Sequence, residues 1–351
     1  MEKENTVLVT VMCLCYNHEK YIRQCLDSIV CQKTTFDFMV LVHDDASTDK
    51  SADIIREYEQ KFPGLVKGIF EEENLYSRKG FLGIQRKMLE YSEGKYLAFC
   101  ECDDYWNDCR KLQKQYEAAE KHHAAFCVHQ VRKVSEDRRP LAEKLPELKE
   151  SFVKSSKEMI KNIFEAENIN CFVYQGSSYF IKREILLQEP PEFVQVCDVG
   201  DVPMELLGAT AGTTVYLAEE MSCYRVMSDS SWNRELMKSV IRQIEMQKNM
   251  MQCFWAYEKY TEHKYDALIE SKITYIEQEI VRIRFEDLVI KRQFTKLNTS
   301  YCRKMREVLP LKEQIKFFLY GHCHIIMECY YKMKEIAKII LRRNKNKSNF
   351  M

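Results

Sequence analysis

The feature that most constrains this sequence is an alternation running through its first hundred residues. Short apolar runs take turns with amphipathic segments, and the connections between them are only a few residues long. The runs "TVLVTVMCLCY" from Thr6, "FMVLVHDD" from Phe38, "LVKGIF" from Leu65 and "KYLAFCE" from Lys95 read as strands. Between them, "EKYIRQCLDSIVCQ" places Tyr21, Ile22, Cys25, Leu26, Ile29 and Val30 on one helical face, and "SADIIREYEQKF" does the same with Ala52, Ile55, Tyr58 and Phe62. A third helix, "FLGIQRKMLEYSEG", is closed by Gly94 at the C′ position. The strands are apolar along nearly their whole length, as in sheets buried on both faces. Such a pattern predicts an α/β fold, a mostly parallel sheet flanked by helices on both sides.

The alternation persists to about Arg225. After about Trp232 the pattern is almost wholly helical, with Ile269, Ile273, Ile276, Ile280 and Ile283 marking one face of a long segment. We therefore expect an α/β domain over residues 1–232 and a helical C-terminal extension over 233–351. No repeat of fixed period is visible.

Composition narrows the class. The 351 residues carry a formal net charge of zero, which gives no electrostatic reason for a nucleic-acid partner. No apolar run approaches the roughly 20 residues that span a bilayer. The opening "MEKENTV" has no basic segment before a long apolar run, which argues against a secretory leader. Several of the 15 cysteines, among them Cys13, Cys15 and Cys100, lie inside apolar strands. They read as buried free thiols of a reducing, cytoplasmic compartment. The sequon at Asn298 is then without meaning.

In a parallel α/β sheet, ligands sit at the carboxyl ends of the strands. Strand two ends in "HDDASTD" and strand four in "CECDDYW". Each aspartate pair reads equally as a turn and helix cap. Two such pairs on one sheet edge also suit a hard divalent cation, Mn²⁺ or Mg²⁺, which takes oxygen ligands and bridges to substrate phosphates. The chain has no G-x-G-x-x-G after strand one and no G-x-x-x-x-G-K-[ST], so a glycine-rich phosphate cradle is not expected.

With these residues on the page, the chain resembles the family 2 glycosyltransferases, which have the GT-A fold. "VTVMCLCYNHEKYIRQCLDSIVCQ", "VLVHDDASTDKS" and the stretch into "CECDDYW" are similar to that family's opening strand, its DDGSTD segment and its DxD-type metal motif. "GDVPMELLGATAGTTVYLAEEMSCYRVMSDSSW" resembles its acceptor-side segment, and the likeness covers roughly residues 6–235. The resemblance implies that a sugar passes from a nucleotide-sugar, most simply a UDP-sugar, to a hydroxyl acceptor with inversion. The acceptor would be a saccharide or lipid-linked saccharide of the cell surface. By position, Asp45 and Tyr16 would contact the nucleotide, and Asp44 would support their loop. Asp103 and Asp104 would fill the metal motif, Asp104 as the stronger ligand and Asp103 nearer the ribose or sugar. Asp201 would be the base, with Asp198 as competitor and a helix cap as the alternative for both. Arg225 would contact phosphate or form a structural ion pair.

Two positions depart from the family pattern. Cys102 and Ala46 stand where glycine is usual, and both add side-chain volume beside the nucleotide.

Other residues read more plainly. Trp106 lines the donor pocket or is a buried aromatic, His129 suits a core histidine, and "GHCH" from Gly321 lacks a second ligand pair at zinc spacing. The basic, aromatic C-terminal helix, with Phe317, Phe318, Tyr320, Tyr330 and Tyr331, suits either the inner membrane surface or packing against protein. Two other classes stay open. One is a non-catalytic nucleotide-sugar-binding protein on the same fold, and the other is a sugar nucleotidyltransferase. The latter would favour a glycine-rich basic loop that "CLCYNHEKY" lacks.

Overall fold

The computed structural model describes residues 7–166, 173–226, 238–291 and 309–322, with positions 236, 293, 296 and 307. In chain order the elements are β1 (Val7–Cys15), α1 (Ile22–Val30), β2 (Asp37–Asp44), α2 (Ser51–Lys61), β3 (Val66–Phe70), α3 (Leu75–Tyr91), β4 (Tyr96–Phe99), β5 (Tyr105–Trp106), α4 (Lys111–Lys121), β6 (Phe126–Val134), β7 (Pro140–Leu145), β8 (Phe152–Lys154) and α5 (Ser156–Glu165). They continue with β9 (Phe180–Lys182), α6 (Arg183–Leu186), α7 (Glu192–Gln195), α8 (Asp201–Ala211), β10 (Thr214–Arg225), α9 (Val240–Tyr260), α10 (Asp266–Ile290) and α11 (Leu311–His322).

The strands form one sheet in the order β3-β2-β1-β4-β9-β6-β10-β5, with β7 on β6 and β8 on β10. Its first half is parallel throughout: β1 pairs with β2 and β4, and β2 with β3. Beyond β4 the sheet is mixed, because β9 runs antiparallel to both β4 and β6, while β10 is again parallel to β6. The chain moves outward from β1 to β2 to β3, then returns to place β4 on the other side of β1. That reversal opens a crevice at the carboxyl ends of β1 and β4, where doubly wound sheets bind ligands.

Both faces of β1 are covered: Val9, Val11 and Cys13 on one face and Thr10 and Met12 on the other are at most 2% exposed, and Ile22, Cys25, Leu26 and Ile29 of α1 pack into the same core as the first three. The third helix differs from the expectation. It starts earlier, at Leu75, and bends at Gly80, whose φ of 63° and ψ of −171° interrupt the helical path. It ends at a Ser92 cap, and Gly94 serves the following turn instead. There φ is 81°, and a Cβ would lie 2.6 Å from the Leu8 carbonyl, so only glycine fits.

The chain divides into two compact units, Met1–Ser239 with Lys248–Ile269, and Val240–Gln247 with Glu270–Met351. In the first, residues 248–269 pack on the α/β layers. Phe254 meets Phe164 at 5.1 Å between ring centroids, and the Tyr257 and Thr210 hydroxyls hydrogen-bond at 2.7 Å. In the second, Phe285 and Phe317 stack at 4.6 Å beside Val281 and Leu309. Among the described residues no helix is long and apolar enough to cross a membrane, and every cysteine is free. Tyr330, Tyr331, His324 and the basic stretch that follows lie outside the described residues, as does Asn298.

Candidate active site

The turn after β1 is laced to the loop after β2. Asn17 takes a left-handed backbone conformation with φ of 57°, which asparagine tolerates better than most residues. Its N–H donates to Ser47 Oγ at 2.9 Å, and its Oδ1 accepts from Thr48 N at 2.8 Å. The His18 N–H donates to Ser51 Oγ, and the Glu19 N–H to Asp49 Oδ2, both at 2.9 Å. The polar residues of "DASTDKS" thus satisfy backbone groups and hold the two loops together.

The aspartates before them divide the work. Asp44 Oδ2 accepts from Ser47 N at 3.2 Å inside the loop. Asp45 lines a cavity, yet its two oxygens accept from Leu75 N at 2.6 Å and Tyr76 N at 3.1 Å. Asn74 caps the next amide, that of Ser77, at 2.7 Å. The first amides of α3 are thereby satisfied, and its first turn becomes cavity wall. Ala46 has a φ of 59°, a conformation that glycine adopts without cost. The departure from glycine there bears on backbone strain, and Ala46 does not line the cavity.

After β4 the chain stays extended. The amides of Cys100 and Cys102 donate to the carbonyls of Met12 and Leu14 at 3.1 and 2.9 Å, continuing the parallel pairing. Side chains along such a segment alternate faces. Cys100, Cys102 and Asp104 point into the protein and are at most 1% exposed, while Glu101 and Asp103 line the cavity. The extra volume at Cys102 therefore goes into the core.

This alternation, with the burial of Arg225 in β10, places two of the expected site residues off the cavity. Asp104 is off the cavity, with Oδ1 accepting from Arg225 N at 2.8 Å and Oδ2 from Gln175 Nε2 at 2.9 Å. Both of its oxygens brace the turn, and its side chain does not line the cavity. Arg225 is buried as well. Its guanidinium donates to the carbonyls of Asp103 and Glu136 at 2.8 and 2.6 Å and to Gln24 Oε1 at 3.1 Å, and it stacks on Tyr21. It is a structural residue beneath the site and does not reach the cavity where a phosphate would sit.

Asp201 opens α8 and also lines the cavity. The depth of the cleft pushes its carboxyl up to about 6, against a hydrogen bond from Tyr179 that pulls it down. Asp198, also on the cavity, sits in a loop clamped by Asn249 of α9. Asn249 Oδ1 accepts from Asp198 N at 2.8 Å, and its Nδ2 donates to the Val196 carbonyl at 2.7 Å.

The cavity these walls enclose has a volume of about 430 Å³. Tyr16, Leu14 and His18 come from β1 and its turn, His43 and Asp45 from β2, Tyr76 and Phe81 from α3, and Gln175 from the loop before β9. Acidic groups crowd it: Asp45, Glu101, Asp103, Asp198 and Asp201. Position in the cleft, then Asp103 and Asp201, push the Glu101 carboxyl up to about 8. Burial opposes a charge on His18, but Asp103, Cys15 and Glu101 outweigh it and lift the imidazole to about 9. The carboxylates of Glu101 and Asp103 on one wall fit the donor set of a hard divalent cation, whose charge would relieve this like-charge crowding.

Of the residues expected from the sequence, Tyr16, Asp45, Asp103 and Asp201 converge on the cavity, Asp44 supports it, and Asp104 and Arg225 lie behind it. Glu101 was missed, although the period-two alternation of "FCECDD" was a signal that could have found it. His18 and Gln175 had none. Trp106 is buried under Lys111, whose Nζ lies 4.0 Å from the ring, and His129 is a fully buried core residue whose Nδ1 donates to the Gln130 carbonyl at 2.9 Å.

Comparison with known proteins adds the family. The profile described as "Glycosyl transferase family 2" matches residues 10–187. The putative teichuronic acid biosynthesis glycosyltransferase TuaG of Bacillus subtilis is 34% identical over 134 residues, 38% of this chain and 50% of that protein. The uncharacterized protein Rv1520 of Mycobacterium tuberculosis is 38% identical over 130 residues, 37% of this chain and 36% of that protein. The chain thus spans between about a third and a half of the length of these curated relatives. Among solved structures, S. aureus TarS 1–349 in complex with UDP aligns with a TM-score of 0.51 at 17% identity, covering 90% of this chain and 79% of that one. The mannosyltransferase PcManGT from Pyrobaculum calidifontis, in complex with GDP-Man and Mn²⁺, aligns with a TM-score of 0.52 at 15% identity, covering 94% and 89%. These likenesses establish the GT-A fold, and with the profile match over half of its length the chain belongs to glycosyltransferase family 2.

Proposed function

We propose that this protein transfers a sugar from a nucleoside diphosphate sugar to a hydroxyl of a saccharide or lipid-linked saccharide, with inversion, in the synthesis of a cell-surface polymer. The observation that carries this reading is the convergence of Glu101, Asp103 and Asp201 on one cavity. A sugar hydroxyl is a poor nucleophile and needs a base as it attacks. Asp201 is that base. Its carboxyl at about 6 is ionised at neutral pH yet basic enough to take a proton. Tyr16 and Asp45 hold the nucleotide end; each Asp45 oxygen keeps a second lone pair beyond the α3 amide it already accepts.

Glu101 and Asp103 hold the divalent cation, Mn²⁺ or Mg²⁺. When bound, that ion supplies Lewis-acid stabilisation of the charge on the departing nucleoside diphosphate. With the base and the carboxylate pair lining one cavity, the reading is direct displacement at the anomeric carbon with inversion. The names of the relatives support the polymer class: TuaG is named a putative teichuronic acid biosynthesis glycosyltransferase, and another relative a poly(ribitol-phosphate) β-glucosyltransferase. The C-terminal helix remains the candidate for contact with the inner membrane surface, and its basic end lies outside the described residues.

The test is a panel of UDP-, GDP- and dTDP-sugars, read as nucleotide release with and without Mn²⁺. Metal-dependent release from one nucleotide class is expected. Tight donor binding with no turnover in either wild type or Asp201→Asn would support a binding protein instead.

A further inference from the structure

The turn after β1 carries a basic side chain that the proposed reaction leaves unassigned. His18 lines the cavity and is 9% exposed. Its backbone is held from both sides. The N–H donates to Ser51 Oγ at 2.9 Å, and the carbonyl accepts from Tyr21 N and Ile22 N at 2.9 Å each, where α1 begins. The ring sits edge-on to Tyr21, with centroids 6.4 Å apart. Held in this way, the imidazole has little freedom. Its Nδ1 is nevertheless buried without a hydrogen-bond partner. A buried polar atom left unpaired is costly, so one beside a ligand cavity points to a partner that arrives with the ligand.

A nucleoside diphosphate is an anion, and the cavity that would receive it already carries the carboxyl groups of Asp45, Glu101, Asp103, Asp198 and Asp201. A divalent cation on Glu101 and Asp103 offsets part of that charge. The rest calls for donors from the protein. Among the described residues that line the cavity there is no lysine and no arginine. His43 also lines it, but is fully buried in β2 with Nε2 at 3.2 Å from Glu71 Oε1. The side-chain amides of Asn74 and Gln175 already donate, to the Asp45 carbonyl at 3.3 Å and to Asp104 Oδ2 at 2.9 Å. We infer that His18 binds the diphosphate of the donor: a ring N–H donates to a phosphate oxygen of the bound nucleotide. This rests on the nucleotide-sugar reading and adds to it a residue that holds the phosphates. Neutral or protonated, an imidazole keeps at least one ring N–H to donate. The same hydrogen bond strengthens as negative charge gathers on the departing diphosphate, so it favours transfer as well as binding.

The experiment compares wild type with His18→Ala and His18→Leu, two variants that lack a ring N–H and differ in volume. UDP and GDP are titrated with Mn²⁺ by calorimetry, and their nucleosides, uridine and guanosine, are followed by ligand-observed NMR. Affinity for the diphosphate that wild type binds should fall about tenfold or more in both variants, the usual worth of a hydrogen bond to a charged group. Nucleoside affinity should stay the same, which also shows that the cavity is intact. Mn²⁺ alone, followed by EPR, should bind the variants no more weakly than wild type. Equal losses for diphosphate and nucleoside, or a loss in only one variant, would make His18 a packing residue. Unchanged diphosphate affinity would take it off the phosphates, and a weaker grip on Mn²⁺ would put the imidazole on the metal. Any of these overturns the inference. Wild-type protein that binds neither UDP nor GDP would instead sink the nucleotide-sugar reading, and the assignment of His18 with it.

Discussion

The backbone N–H of Arg225 donates to Asp104 Oδ1 at 2.8 Å, while the Arg225 guanidinium Nε donates to the carbonyl of Asp103 at 2.8 Å. One buried residue of β10 thus grips both members of the aspartate pair after β4. The grip turns Asp104 inward and leaves Asp103, with Glu101, to face the cavity. Neighbours in sequence therefore have opposite roles.

That division predicts a split between metal affinity and stability. Chelation with EDTA should abolish nucleotide release, and Mn²⁺ or Mg²⁺ should restore it. Asp103→Asn and Glu101→Gln should raise the metal concentration needed for half-maximal activity. Asp104→Asn should leave that concentration nearly unchanged but lower stability by about 1–3 kcal/mol, the usual cost of an unsatisfied buried polar group. Metal titration beside thermal melts checks both. A large metal effect from Asp104→Asn with unaltered melting would return that residue to the metal site.

Asp201→Asn separates chemistry from binding. General-base catalysis contributes about 10²–10⁴-fold, so transfer should fall by that order while donor affinity by calorimetry stays put. In the wild type only the deprotonated carboxyl accepts a proton. Turnover should therefore climb as pH rises through about 6, and this limb should vanish in the variant. Parental turnover in Asp201→Asn would move the search for the base to Asp198.

Glu205 makes stability depend on pH. Burial pushes its carboxyl up to about 8 from about 4.5, despite hydrogen bonds from Val173, Tyr174 and Tyr179 that pull it down. The native state thus binds this proton more tightly than the unfolded chain. The contribution is complete below about pH 4.5 and is lost as pH rises through about 8, on the order of 5 kcal/mol in all. The protein should melt lower at pH 9 than at pH 5.5, and Glu205→Gln should narrow that difference. Asp201 and Glu101, also raised, keep some of the slope. An unchanged difference in the variant would show that Glu205 does not titrate as proposed.

Asn249→Ala should free the loop that carries Asp198. Two hydrogen bonds are lost, to Asp198 N and to the Val196 carbonyl. Hydrogen exchange at the Asp198 amide should speed up by at least about tenfold, with global stability lowered by about 1 kcal/mol. Unchanged protection would mean that α7 and α8 hold the loop without α9.

Ala46→Gly should stabilise the protein slightly. At φ of 59° the alanine Cβ costs roughly 1–2 kcal/mol, and the greater freedom of glycine in the unfolded chain returns part of that. A melting temperature a degree or more higher is expected. A lower one would mean that the methyl group makes contacts that matter more than the strain.

Much of this could be read from the sequence, and the reason is local. The periodicity of "TVLVTVMCLCY" and "EKYIRQCLDSIVCQ" already defines the parallel half of the sheet and its helices, since burying two faces of a strand and one face of a helix leaves little choice. Strand ends then mark the ligand edge, so Tyr16, Asp45 and Asp103 could be picked out without coordinates, and the family resemblance added Asp201. What the sequence could not determine is which way each carboxylate turns and what answers it across the fold. Asp104 and Arg225 are 121 positions apart, Asp45 meets α3 30 positions on, and Asn249 reaches the Asp198 loop from a helix 51 positions later. Such pairings have no period and no local propensity. They exist only once the sheet has closed, because a buried carboxylate must find its donors wherever the chain brings them.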